Sequence, residues 1–142
     1  MLPLEDRCAV AELEKRIRAL LDEIKDPCSV AASVPMGLGE MGIVKEVRIA
    51  SDGKVDIELR LTSPFCEMIS YMTKEALAKV GSLPAVTGVT VRHDSGLEWD
   101  HDMIAPEAQA RRRHRLLMLR TRLEQHQHEH QQQAASREVA SA

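Results

Sequence analysis

The chain has 142 residues, 44% of them apolar, a formal charge of −3, three cysteines and three aromatic rings. That length suits one domain, and its core must be aliphatic, since Phe65, Tyr71 and Trp99 are the only rings. The net negative charge argues against a general nucleic-acid binder, and so few rings leave little on which to stack exposed bases.

Residues 8–24 read as an amphipathic helix, because Val10, Leu13, Ile17, Leu20, Leu21 and Ile24 recur at steps of three and four. Lys25-Asp26-Pro27 ends it, since the residue before a proline is pushed away from helical angles. Residues 28–40 form a loop of small residues that carries no charge before Glu40. It reads equally as a buried connection or as one wall of a site. Two strands follow, Ile43 to Ile49 and Val55 to Leu61. The second alternates strictly between aliphatic and charged residues, so only one face of the sheet is covered. Ser51-Asp52-Gly53 between them is a hairpin signal.

Residues 64–80 read as a second helix with Ile69, Met72, Ala76, Leu77 and Val80 inward, and Val86 to Val91 as a third strand. A strand–helix–strand crossover is right-handed in nearly all cases, so the helices share one face. The expected fold is therefore α+β: a two-layer domain over residues 8–104, with helices on one face of a small mixed sheet. Pro106 suits the start of a basic helix over residues 105–125. Its arginines read first as a solvated face. Residues 126–142, rich in Gln, His and Ala, read as a disordered tail. Seven arginines against four glutamates put +3 on residues 107–142, which leaves −6 on the rest.

Cys8, Cys28 and Cys66 are an odd set with no CxxC pair, which argues against a disulfide framework and a self-contained zinc knuckle. Met1 to Asp6 meets charge too early for a secretory signal. The uncharged run from Pro27 to Gly39 falls short of the roughly 20 apolar residues that span a bilayer. The expectation is a soluble, cytoplasmic protein with reduced thiols, bound to neither membrane nor nucleic acid.

The sharpest local feature is Leu61-Thr62-Ser63-Pro64-Phe65-Cys66-Glu67. With Ser63 as N-cap and Pro64 as first helical residue, Cys66 falls in the first turn, where unpaired N–H groups and the helix dipole favour a thiolate. Glu67 opposes that effect. Cys28 becomes a candidate second soft ligand if the fold brings it to Cys66, with Asp26 a candidate hard one. Cys8 reads as structural. His126, His128 and His130 alternate in the tail, and His126 and His130 share a face only if that segment is helical. There is no Walker loop, GxGxxG, HExxH or GxSxG. Gly37-Leu38-Gly39 lacks the flanking strand and helix of a dinucleotide site.

The order of these pieces resembles a known family. Asp26-Pro27 closes a helix, Glu40-Met41-Gly42-Ile43-Val44 opens a strand, and Leu61-Thr62-Ser63-Pro64-Phe65-Cys66 precedes a helix, with Trp99 and Met103 trailing. Together they are similar to the iron–sulfur (metal–sulfur) cluster assembly factors, which include SufT-type and PaaD-type proteins and the MIP-type cytosolic assembly component. The resemblance covers residues 9–104 and implies a compact α/β fold and a role in maturing iron–sulfur or iron enzymes, without turnover of a metabolite. It lays the family's reactive cysteine on Cys66, its acid on Asp26 and its threonine on Thr62. This chain departs from the pattern in having Cys28 where the family has Glu, Phe65 and Glu67 around the cysteine, and about five extra residues between Asp26 and Gly42.

The resulting expectation is an assembly factor that transiently binds an iron–sulfur cluster or iron on Cys66 and Cys28, with Asp26, Thr62 and Ser63 around it. Its partners would be a client iron–sulfur or iron enzyme and other assembly factors. Two thiols make half of a four-cysteine set, so a homodimer sharing one cluster also enters the reading. Two other classes compete. One is a thiol enzyme with Cys66 as nucleophile and His93 or His101 as base. The other is a non-catalytic adaptor of a multicomponent oxygenase that needs neither thiol.

Overall fold

The structure, a computed structural model, describes residues 4–142. Met1 to Pro3, on which the reading about a leader rests in part, lie outside the described residues. The elements run α1 (Leu4–Glu23), α2 (Pro27–Ala31), β1 (Val44–Ile49), β2 (Lys54–Leu59), α3 (Ile69–Gly81), β3 (Gly88–His93), a 3₁₀ turn (His101–Met103) and α4 (Pro106–Ala140). The chain up to Ala108 makes one compact unit and Gln109–Ala142 a second.

In the first unit, a three-stranded mixed sheet has the order β1-β2-β3. β1 runs antiparallel to β2 from Val44↔Leu59 to Ile49↔Val55, and β3 runs parallel to β2 from Lys54↔Gly88 to Leu59↔His93. The hairpin closes as its sequence predicts. Gly53 takes φ 86°, and Ala50 N donates to Lys54 O at 2.8 Å. α3 supplies the crossover that a parallel pair requires. α1 packs on β1 and α3, and α3 packs on β3. Ile17, Leu21 and Ile24 of the α1 stripe meet Val55, Ile57 and Leu59 of β2 and Met72, Ala76 and Val80 of α3 in one aliphatic core. Each fully buried side chain of this size contributes about 1.5–3 kcal/mol. The expected α+β fold is the observed one.

Several boundaries differ from expectation. The loop over residues 28–40 contains α2, because Asp26-Pro27 not only stops α1 but also starts a new turn as N-cap and first helical residue. α3 begins at Ile69 and not at Pro64. In the second unit, α4 continues to Ala140, through the residues whose composition reads as a disordered tail. That stretch holds neither Gly nor Pro and is built largely of Ala, Gln, Glu and Arg, all good helix formers. Among the described residues, no helix is long and apolar enough to cross a membrane.

Candidate functional site

The antiparallel pairing of Val44 with Leu59 and the parallel pairing of Leu59 with His93 put three loops at one end of the sheet. The segment that carries Asp26 and Cys28 enters the sheet there through β1. The segment with Thr62, Ser63 and Cys66 leaves there from β2, and the chain after His93 leaves there from β3.

Asp26 is buried, with 3% of its surface exposed. Its Oδ2 accepts from Ser29 N at 2.9 Å and caps α2. Ser29 is the hub of this loop. Its hydroxyl donates to Asp26 O at 2.6 Å and accepts from Met36 N at 2.9 Å. The neck is closed by Asp26 N donating to Met36 O at 2.9 Å and Leu38 N donating to Ile24 O at 3.0 Å. Burial raises the Asp26 carboxyl above its ordinary value, against backbone hydrogen bonds from Ser29 and Cys28 that pull it down.

Cys28 lies in α2 with its side chain exposed. The Asp26 carboxylate pushes its thiol upward most, then loss of solvent, then the Cys66 sulfur. Cys66 is half-buried and packs against the core.

Its setting corrects one expectation. Ser63 does not cap α3, and Cys66 does not lie in a helical turn. Instead Ser63 and Pro64 open a tight turn, in which Phe65 N donates to Ser63 Oγ at 3.0 Å and Cys66 N to Ser63 O at 3.2 Å. The helix follows N-cap Met68, which makes no side-chain cap bond. The physical reason lies in burial. Phe65 is 88% exposed and the first buried residue of α3 is Met72, so no apolar face rewards an earlier helical start. Thr62 is half-buried on the approach to this turn.

Cys8 sits far from both loops. It is exposed near the start of α1, about 22 Å along the helix from its last residue at 1.5 Å per residue. Of the two imidazoles considered as bases, His93 turns Nδ1 to Asp94 O at 2.9 Å, and His101 meets Trp99 edge-on at 5.0 Å. Among the described residues, no three His, Cys, Asp or Glu side chains group so as to hold a metal ion.

Composition and spacing missed the clamp behind the Cys66 turn. Asp94 Oδ1 accepts from Leu61 N at 2.9 Å and from Gly96 N at 3.0 Å. Gly96, buried at φ 78°, lies directly against the Ser63–Pro64 backbone. The run Asp94-Ser95-Gly96 is an Asx-turn signal that could have been read. Trp99 completes the brace by donating Nε1 to Met41 O at 2.7 Å.

Known proteins share this framework. A Bacillus anthracis crystal structure of a domain of unknown function, DUF59, superposes with a TM-score of 0.60 at 20% identity, over 70% of this chain and 91% of that one, and has the same fold. A Porphyromonas gingivalis protein named Fe-S protein maturation auxiliary factor is 28% identical over 97 residues, 68% of this chain and 88% of that protein. The profile of a family described as "Iron-sulfur cluster assembly protein" matches residues 14–91, from the middle of α1 into β3 and through both cysteine loops. That is more than half of the chain, which belongs to the iron–sulfur cluster assembly protein family.

Proposed function

We propose that this chain is a non-catalytic maturation factor that carries iron or an iron–sulfur cluster as cargo on the thiolates of Cys66 and Cys28. It passes that cargo to a client iron–sulfur or iron enzyme, in company with other assembly factors. Family membership supports the general role in iron–sulfur maturation. The observation that supports the finer reading is the sheet register, which brings the segments carrying Cys28 and Cys66 to one end of the sheet.

The residues divide the work by chemistry. Cys66, seated against the core by the Ser63 turn, is the fixed ligand, and Cys28, exposed in α2, is the releasable one. Asp26 favours the protonated Cys28 thiol, so iron arriving there displaces a proton from sulfur. On transfer, a client thiolate takes the place of Cys28 at the metal, and Cys28 regains a proton from solvent. Thr62 lines the approach to the turn. With two thiols on each chain, a client or a second copy supplies the remaining ligands.

Anaerobic reconstitution of the full chain with ferrous iron and sulfide tests this. Cys66→Ser should lose most bound iron and Cys28→Ser should hold iron less tightly, while Cys8→Ser should match wild type. A Cys28→Ser, Cys66→Ser double variant that still loads and donates a cluster to an apo-ferredoxin would sink the proposal, leaving the family assignment intact.

A further inference from the structure

The histidines of α4 satisfy the one condition that sequence left open. Residues 126–130 are helical, so His126 and His130 stand one turn apart on a single face. Their rings are neighbours, with centroids 4.9 Å apart at 83°. Glu129 Oε2 lies 3.6 Å from His126 Nδ1, which leaves Nε2 as the ring nitrogen not engaged by that carboxylate. A carboxylate on the far nitrogen of an imidazole is the usual support of a metal-bound histidine, because it orients the ring and raises its basicity. Both members of that pair are well exposed.

We infer that His126 and His130 form a chelating site for a divalent transition cation such as Ni²⁺, Zn²⁺ or Cu²⁺. Two imidazoles at i and i+4 on one helix face are the arrangement that binds zinc in helical His-x-x-x-His sites. Imidazole nitrogen suits these cations, while hard ions such as Mg²⁺ and Ca²⁺ prefer oxygen. The chain supplies two nitrogens and water fills the rest of the shell. His128, two residues from His126, points to the opposite side of the helix and takes no part. The site is separate in sequence and chemistry from the cysteine corner, so it stands whether or not that corner carries iron.

The test uses the full chain with Cys8, Cys28 and Cys66 changed to Ser, so that thiols take no metal. Ni²⁺ is titrated by calorimetry, and helicity is followed by circular dichroism during heating. The expected result is saturable binding that falls about tenfold or more in His126→Ala or His130→Ala and persists in His128→Ala. Helix melting should move upward on Ni²⁺ addition only when both His126 and His130 are present. Alanine keeps the helix intact, so lost binding is not lost folding. Unchanged binding in the His126→Ala, His130→Ala double variant overturns the inference. An equal loss in His128→Ala does so too, since that would mark a diffuse polyhistidine effect.

Discussion

Gly96→Ala is the most direct test of how the Cys66 turn is held. A Cβ at this position would lie 2.5 Å from both Pro64 N and Ser63 C, and 2.6 Å from Ser63 O. All three are backbone atoms, so no side-chain rotation relieves the contact. Alanine in the left-handed region costs about 1–2 kcal/mol, and moving the two segments apart brings the total to about 2–4 kcal/mol. In a unit of this size each kcal/mol lowers the melting midpoint by about 4–8 °C, so a drop of about 8–32 °C is expected. The displacement falls on Ser63 and Pro64, whose turn seats Cys66. Iron loading should therefore fall even at temperatures where the variant remains folded. Circular dichroism melts and anaerobic iron-to-protein ratios read the two effects. Gly88→Ala serves as the comparison, because its Cβ would meet nothing closer than Lys54 Cγ at 3.9 Å. If both variants melt alike and load iron alike, the clamp does not hold the turn.

Two further substitutions probe the Asp26 loop. Ser29→Ala strands the buried Met36 N–H without its acceptor and should cost about 2–3 kcal/mol in urea unfolding; a loss below about 0.5 kcal/mol would remove Ser29 as the hub. Asp26→Asn keeps a cap acceptor but abolishes titration. Burial raises the folded carboxyl above its unfolded value, so the stability it contributes is complete at low pH and is lost as pH rises through the raised value. The Asn variant should thus gain on wild type across the window between the unfolded carboxyl value and the raised folded one. A stability difference that stays constant over that window contradicts burial as the dominant cause.

Much of the framework was legible because it rests on periodicity. Ile17, Leu21 and Ile24 lie on one helical stripe, and Val55, Ile57 and Leu59 alternate with charge, so both elements announce which face is buried. The Cys66 turn was misread for a physical reason. Serine followed by proline suits an N-cap and first helical residue, and equally the first two positions of a tight turn. Only burial decides between them, and burial depends on what the distant Asp94-Ser95-Gly96 segment packs against. Asp26-Pro27 signals a stop for α1 in local pattern, and the same two residues also begin α2. The arrival of the Cys28 and Cys66 segments at one end of the sheet depends on strand pairing across the intervening residues, which local pattern does not encode. The histidine pair was recognised as conditional on helicity, but a polar helix without a buried stripe has the composition of an unstructured tail.

The tied neck beneath Cys28 bears on how this region can change over time. Asp26 and Met36 are joined directly, and Leu38 is joined to Ile24, so the arc between them closes before any of its outermost residues is counted. The entropy of closing such an arc grows only with the logarithm of its length. Within the arc, Ser33 N donates to Val30 O and Val34 N to Ser29 O, both at 3.0 Å, and Val34 is buried, so the arc is held from inside as well as at its neck. A residue added or removed there must break those bonds or expose Val34, so any change of length beside the exposed Cys28 thiol carries a cost in stability.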